Sequence, residues 1–492
     1  MPARPPGCRR RAAPGGRPGQ VIASPLSAMA GISRGAPNDV RLVSGSAPEG
    51  ASGLCSASHR IAAMPADTAF DRAVADSNTG GLVWPAEGWS RVPFELFTSP
   101  EIHEREDERL FRGPHWNYLG LEVEVPEPGD YTTCHVGATP VVLVRDEGGA
   151  LRAFVNRCAH RGAEVVRRPR GNARGFTCIY HNWSYDRAGR VVGVPWEKGR
   201  GGAGGYDAAF DKAQHRMRPL RVASWAGVVF GSFSGEAPPL EDYLGPAICA
   251  RLSAVFARPV TVTGYQRHTI RANWKLLYEN SRDFYHAPQL HKFFGAFGIV
   301  QPDQAARAEM WHEGTHCLLT IYQNPGARKQ RTKLEEPRVA AFRTALPENI
   351  AISIVGIFPN CLFTLIGSAF SIRQFRPKAP DRFEVVYTYF TYADDPDCLR
   401  EHLFQNNQFG PAGYVAMEDA EVVEKLQARI ALGGDKGAGL VAMDGTDTTP
   451  DRIDHMVSEA NLRAMWKGYA RFMDFAPPET GGSGAGGERS PQ

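Results

Sequence analysis

Two cysteines and two histidines stand on two short segments of this chain: Cys158 and His160 in the run VNRCAHRGA, and Cys178 and His181 in the run CIYHNW. A CxH pair and a CxxH pair together offer two thiolates and two imidazoles. That is the ligand set of a Rieske [2Fe–2S] centre, in which two cysteines hold one iron and two histidines the other. The imidazoles raise the reduction potential far above that of an all-cysteine cluster. Two Cys and two His also satisfy tetrahedral zinc, whose paired ligands usually lie two to four residues apart. Here a single residue separates Cys158 from His160, and seventeen separate His160 from Cys178. This spacing suits two facing hairpin tips better than a zinc site, and the chemistry it predicts is single-electron transfer.

A second group lies in NWKLLYENSRDFYHAPQLH, residues 273–291, which contains Asp283, His286 and His291. Two histidines on a short segment plus a distant carboxylate are the ingredients of a 2-His-1-carboxylate site, which leaves positions on Fe(II) open for oxygen and substrate. Five residues turn an ideal helix by about 140°, so an unbroken helix would splay the two imidazoles apart. Pro288, between them, is expected to break the helix and let them converge. Unrelated polar residues at a helix end would look the same in isolation. Beside the Cys/His pairs they read as parts of one machine.

These groups need a scaffold. The runs 139–145 and 151–156 are β-prone and are joined by the turn-rich Asp146, Glu147, Gly148 and Gly149. Short β-prone segments and Gly-rich turns continue over 116–240 and predict a small all-β domain. After Gly264 a helical stretch is expected, then strands at 351–358, 361–366, 370–375 and 383–391, then amphipathic helices at 411–430 and 453–472. Strands followed by helices make the whole an α+β protein with helices gathered on one side of an antiparallel sheet. The expected division is a disordered Pro/Gly/Arg-rich extension at 1–75, an N-terminal helical segment at 76–115, the all-β domain at 116–240, the catalytic domain at 241–475, and a disordered Gly/Ser tail at 476–492.

The chain has 492 residues, room for two or three domains. A formal charge of +3 is too small to imply nucleic acid or an anionic membrane as partner, and no apolar run is long enough to span a membrane. Nine cysteines scattered singly point to a reducing compartment, and a cytoplasmic location is expected. The opening, MPARPPGCRRRAAPGGRPGQ, has Gly, Pro and Arg where an export signal needs an apolar core, and fits an assigned start upstream of Met64.

The combination of CxH, seventeen residues, CxxH, then NWKxxxEN, then DxYHxxxxH resembles the large (alpha) subunit of the Rieske non-haem iron aromatic-ring-hydroxylating oxygenases. The likeness runs over 84–473. The stretches YHNWSYDRAG, GPAGYVAMEDAEVVEKLQ and WPAEGWSRVPFELFT are most similar to the branch acting on anthranilate, salicylate and terephthalate, as is ENSRD, one residue shorter than in naphthalene-type enzymes.

The resemblance implies a helix-grip, START-like catalytic domain that follows the 76–115 segment and the Rieske domain. It implies that Cys158, His160, Cys178 and His181 hold the [2Fe–2S] cluster, and that His286 and His291 bind a mononuclear Fe(II). The third iron ligand is a late aspartate, matched by Asp419, with Glu418 and Glu421 as competing neighbours. Asp283 matches a bridging aspartate whose partners would be His286 and His181 of the partner subunit. The family's trimers, α3β3 or α3, make that contact part of the mechanism. Electrons from NAD(P)H are expected to come through a separate reductase and a ferredoxin, since no GxGxxG opens a helix after a strand here. An aromatic acid needs a cationic anchor in an apolar pocket. Arg373, bracketed by Phe370 and Phe375, is the candidate, and the solvent face of the sheet is its other possible place. Two further functions stay open: a Rieske monooxygenase or demethylase acting on a quaternary ammonium compound or aryl ether, and a non-catalytic electron carrier.

Overall fold

The computed structural model describes residues 82, 84–292, 294, 300, 301, 303–323, 346, 349–366, 369–397, 413–432, 437–446 and 449–476. The extension expected at 1–75 and the tail expected at 476–492 lie outside these residues, apart from Ala476.

A seven-stranded antiparallel sheet runs in the order Asn117–Leu121, Val228–Ser232, Pro219–Trp225, Leu151–Val155, Thr139–Arg145, Asp130–Val136, Arg170–Asn172. Its central strands are rich in Val, Leu and Phe, and Val141, Val142, Leu143, Val144 and Phe154 are buried, as β-branched and aromatic side chains on a covered pleated surface should be. The turn at 146–149 is built by Asp146, whose Oδ1 accepts the backbone N–H of Gly148 at 3.0 Å and of Ala150 at 2.9 Å. A small sheet of Phe176–Thr177, Ser184–Tyr185 and Val191–Gly193 accompanies it.

The second large sheet has eight strands in the order Val260–Ile270, Arg382–Tyr392, Ala369–Ala379, Cys361–Ile366, Ile350–Ile357, His316–Tyr322, Ala306–Trp311, Arg452–Ile453. It is curled and antiparallel, with the helices Trp274–Asn280, Val415–Ile430 and Ala460–Met473 against it. Two expectations are corrected. The stretch after Gly264 belongs to an eleven-residue edge strand, Val260–Ile270, and the helix begins only at Trp274. The helix expected at 453–472 begins at Ala460, because Ile453 pairs with Ala308 as a strand residue and Ser458 Oγ accepts the Ala460 N–H at 3.1 Å. Residues 411 and 412 of the other expected helix lie outside the described residues.

One hydrophobic core spans both sheets, joining Leu119, Val136 and Leu143 to Trp274, Phe375, Tyr387 and Trp466. The segment before the first sheet contributes the helix Pro100–Glu106 and the strand Arg91–Pro93, which pairs with Ala438–Leu440. Among the described residues no helix is long and apolar enough to cross a membrane.

Candidate functional site

Cys158 and His160 lie in the loop that leaves Leu151–Val155, and Cys178 and His181 in the loop between Phe176–Thr177 and Ser184–Tyr185. Each loop is closed by its own backbone. Cys158 N–H donates to Ala163 O at 2.8 Å and Gly162 N–H to Cys158 O at 2.9 Å, while Cys178 N–H donates to Trp183 O at 2.9 Å and Asn182 N–H to Cys178 O at 3.0 Å. Gly162 and Asn182 sit at φ of 79° and 56°, a left-handed geometry those two residue types tolerate best. Both thiols are thereby buried in one apolar cluster with Trp183 and Tyr185. The Tyr185 hydroxyl lies 3.1 Å from Cys158 Sγ and accepts the Ala159 N–H at 3.0 Å. The His160 and His181 rings stand 4.7 Å apart, and His160 stacks on Trp183 at 5.0 Å. Burial pushes the His160 imidazole pKa down, favouring the neutral form that ligates metal, and its buried Nδ1 has no hydrogen-bond partner. Two buried thiols in one cluster and two neighbouring imidazoles, one with an orphaned nitrogen, are the donor types a [2Fe–2S] cluster needs.

The second group is assembled from two helices. Asn273 accepts the Lys275 N–H at 3.1 Å through its side chain and so opens the helix Trp274–Asn280. His286 and His291 then stand at the two ends of a one-turn helix, Ala287–Leu290. Pro288 does not break a longer helix, as was expected; it lies in the first turn of this short one, where its missing N–H costs nothing. The backbone leaves the helical region at His291, with φ −82° and ψ 77°, and the two rings come within 5.3 Å. The helix Val415–Ile430 brings in Asp419, whose Oδ1 lies 3.4 Å from His286 Nε2 and 3.2 Å from His291 Nε2. The three ligand atoms fall within 4.8 Å of one another. Asp419 Oδ1 is buried, faces both Nε2 atoms and completes no hydrogen bond of good geometry. Such a donor set fits Fe(II).

The outer nitrogens each face a carboxylate, and that of His291 is hydrogen-bonded to it. His286 Nδ1 lies 3.5 Å from Asp283 Oδ2, and His291 Nδ1 lies 2.7 Å from Glu418 Oε2. Burial alone would lower the His286 pKa, but Asp283 and Asp419 overcome it and raise it to about 10. Burial would raise the Asp419 pKa, and the two imidazoles that face it instead hold it well below the usual carboxylate range.

A cavity opens beside the three residues. It is walled by apolar side chains such as Phe294, Leu319, Ile352, Ile354 and Leu362, and Arg373 is the only Lys or Arg among its described lining residues. Of the two places open to Arg373, it takes the cavity side: it is buried, opposite Leu362 and Tyr387 in the sheet, with its guanidinium 5.3 Å from the Tyr387 ring centre. The space measures about 50 Å³.

Two acids here escaped sequence reasoning in their present roles. Glu418 was a rival to Asp419, yet it contacts the far side of His291. Glu421 points away and pairs with Lys425 on the exposed face. Glu279, one turn before Asp283, accepts the Trp466 indole N–H at 2.9 Å. Burial, with the charges of Asp283 and Glu459, pushes its pKa up to about 8 against the pull of that hydrogen bond and of Arg282, which favours its neutral form. A helical carboxylate usually marks only a solvated face, so neither role had a signal beyond position.

An all-β part with a Cys/His loop pair, joined through one core to a curled sheet with two histidines and an aspartate in a buried recess, defines a class of protein with one electron-transfer centre and one non-haem iron centre. Residues 115–206 match the Rieske [2Fe-2S] domain family, and residues 257–474 match the ring hydroxylating alpha subunit (catalytic domain) family. The chain is 39% identical over 406 residues to the anthranilate 1,2-dioxygenase large subunit of Burkholderia cepacia, covering 80% of this chain and 95% of that one. It is 37% identical to the terephthalate 1,2-dioxygenase terminal oxygenase component subunit alpha 2 of Comamonas sp, covering 80% and 97%. Naphthalene 1,2-dioxygenase from Rhodococcus sp., solved with indole bound, superposes with a TM-score of 0.67 at 29% identity, covering 78% and 94%. The chain therefore belongs to the large (alpha) subunits of the Rieske ring-hydroxylating oxygenases. It is an oxidoreductase that uses a [2Fe–2S] cluster and a mononuclear iron.

Proposed function

We propose that this chain hydroxylates the ring of an aromatic carboxylic acid, by dioxygenation or by monohydroxylation, with electrons from NAD(P)H delivered by a separate reductase and ferredoxin. The observation that carries the reading is that Arg373 lines the same cavity as His286, His291 and Asp419. The names of the anthranilate and terephthalate relatives support it.

Cys158, His160, Cys178 and His181 would hold the cluster, and His286, His291 and Asp419 the iron. When bound, these groups supply single electrons and oxygen activation. The rest is the work of the chain itself. The Arg373 guanidinium binds the substrate carboxylate through paired N–H···O bonds and thereby fixes the ring's orientation. The apolar walls exclude water. Because 50 Å³ is less than the roughly 150 Å³ of a cavity that takes up benzene, those walls part as the ring enters. Asp283 and Glu418 hold a proton on the Nδ1 atoms of His286 and His291, which leaves both Nε2 lone pairs free to ligate.

Assembly into trimers, α3 or α3β3, is supported by exposed apolar side chains around the two ends of the electron path: Ile179 and Tyr180 beside His181, and Tyr285, Tyr414 and Met417 near Asp283. In that assembly Asp283 meets His181 of the partner subunit. The described cysteines are all free and buried, which supports a cytoplasmic location. A quaternary ammonium substrate is disfavoured, because a cation would meet the Arg373 guanidinium.

The test is aerobic turnover of the iron-replete protein with a reductase and ¹⁸O₂, over benzoate, salicylate, anthranilate and terephthalate, read by mass spectrometry. Two labelled atoms in a dihydrodiol or its breakdown product mark a dioxygenase, and one marks a hydroxylase. Absence of labelled product from every acid, with both metal centres present, would overturn the acid assignment in favour of demethylation.

A further inference from the structure

Charge is unbalanced where the two large sheets meet. Successive residues of the strand Ala369–Ala379 point to opposite faces, so Gln374 and Arg376 lie on the side away from Arg373 and toward the seven-stranded sheet. Gln374 Nε2 donates to the backbone carbonyls of Tyr118 at 2.7 Å and His135 at 3.1 Å and so ties the sheets together. Arg376 is only 6% exposed. Its Nε donates to Gln374 Oε1 at 2.6 Å, and no carboxylate among the described residues pairs with it. Glu384, opposite it in the sheet, is paired with Lys378 at 3.6 Å.

Arg376 lines a cavity of about 170 Å³ between the sheets, together with Arg267 and Arg170. Arg170 comes from the seven-stranded sheet and stacks over the Tyr265 ring at 3.7 Å. Glu124 is the sole carboxylate among the described lining residues, and it is already engaged: Oε1 accepts the Tyr265 hydroxyl at 2.6 Å and Oε2 the Leu121 N–H at 2.8 Å. Burial, with Arg267, pushes the Arg376 pKa down against the opposing pull of Cys134, Glu384 and Tyr118, and burial with Arg376, Lys378 and Arg267 pushes the adjacent His135 down to about 3. A buried guanidinium without a counterion is costly, and its planar fork matches a carboxylate or phosphate.

We propose that this junction cavity binds a compact oxyanion of carboxylate or phosphate type on Arg376 and Arg267, with Arg170 facing it from the other sheet. The bound anion rivets the cluster-bearing sheet to the catalytic sheet. It is a site separate from the Arg373 cavity, and it stands whether or not the substrate is an aromatic acid.

The test is calorimetric titration of the holoenzyme, exchanged into chloride buffer at constant ionic strength, with inorganic phosphate and separately with benzoate, in an Arg373→Gln background that silences the other cavity. One saturable site per chain is expected for at least one anion, with Kd raised about tenfold or more by Arg267→Gln and by Arg376→Gln. The anion that saturates identifies the source, phosphate or carboxylate. In parallel the Tm should rise with the logarithm of that anion's concentration, and the rise should vanish in both variants. Should Arg376→Gln fail to fold, Arg267→Gln, which lies on the exposed rim, decides alone. Failure of both anions to saturate, or unchanged binding by Arg267→Gln, overturns the proposal.

Discussion

Arg373 has a side chain whose loss separates binding from chemistry. A charge-assisted hydrogen bond contributes about 1.5–3 kcal/mol, so Arg373→Gln is expected to raise KM for the aromatic acid roughly 10- to 100-fold while kcat changes less; steady-state kinetics checks this, and an unchanged KM would remove Arg373 from substrate binding. Asp283→Asn keeps its shape and one acceptor oxygen but loses the charge, and its amide nitrogen cannot accept from a second imidazole. It should retain both metal centres by metal analysis and EPR yet make no product; ordinary product formation would end the bridging role. Glu418→Ala should weaken iron binding about 10- to 100-fold with the cluster untouched, measured by competition with an iron chelator. The cysteines and cluster histidines were legible because ligand spacing is local and short. Which acid of the Val415–Ile430 helix turns inward came only from the resemblance, which matched Asp419, since by pattern alone Glu418, Asp419 and Glu421 differ only in helical phase.

At the level of elements, strands with a covered surface announced themselves. The run Cys361–Ile366 is apolar but for Thr364, is buried throughout and lies where expected, and Arg382–Tyr392 is dense in β-branched and aromatic residues. Val260–Ile270 was missed because it is an edge strand, partly exposed along its length, and its Gly264, Gln266, Arg267 and His268 break any simple alternation. The strands Ala306–Trp311 and His316–Tyr322 were also unread, the first because its Arg307 and Glu309 occupy the half-exposed face. What locks the elements together is a buried ion pair no pattern could disclose. Lys275 Nζ lies 2.5 Å from Glu106 Oε1, which also accepts the Tyr469 hydroxyl at 2.5 Å, while Glu106 Oε2 accepts the Trp274 indole N–H at 2.8 Å. Three helices therefore share one carboxylate. Lys275→Met strands that carboxylate in the core and should cost about 3–5 kcal/mol, seen as a lowered Tm. A Tm within a degree of the parent would mean that the pair contributes no net stability.

For the whole molecule, a cluster of imidazoles sets the response to acid. His115, His312 and His316 pack together with Tyr243 and Phe472, joining the opening segment, the eight-stranded sheet and the last helix. Burial pushes His115 down to about 3 and His312 down to about 4. The unfolded chain takes up these protons from about pH 6.5 downward, whereas the folded chain resists until pH 3–4. Stability therefore falls as pH drops through that window, by about 1.4 kcal/mol per pH unit per group. Unfolding of the metal-loaded protein between pH 7 and 4.5 should show this slope, and His115→Phe should flatten it; an unchanged slope would place the acid sensitivity elsewhere. The described ends of the chain also meet: Arg91–Pro93 pairs with Ala438–Leu440, Trp84 packs on Trp466 with ring centres 6.4 Å apart, and Phe97 on the same indole at 5.6 Å. On the ribosome, then, Trp84 and Phe97 leave the exit tunnel long before their partner is synthesised. The first aromatic residues of the fold stay without that indole until residue 466 has been made and has emerged, so their apolar surface is uncovered through most of synthesis.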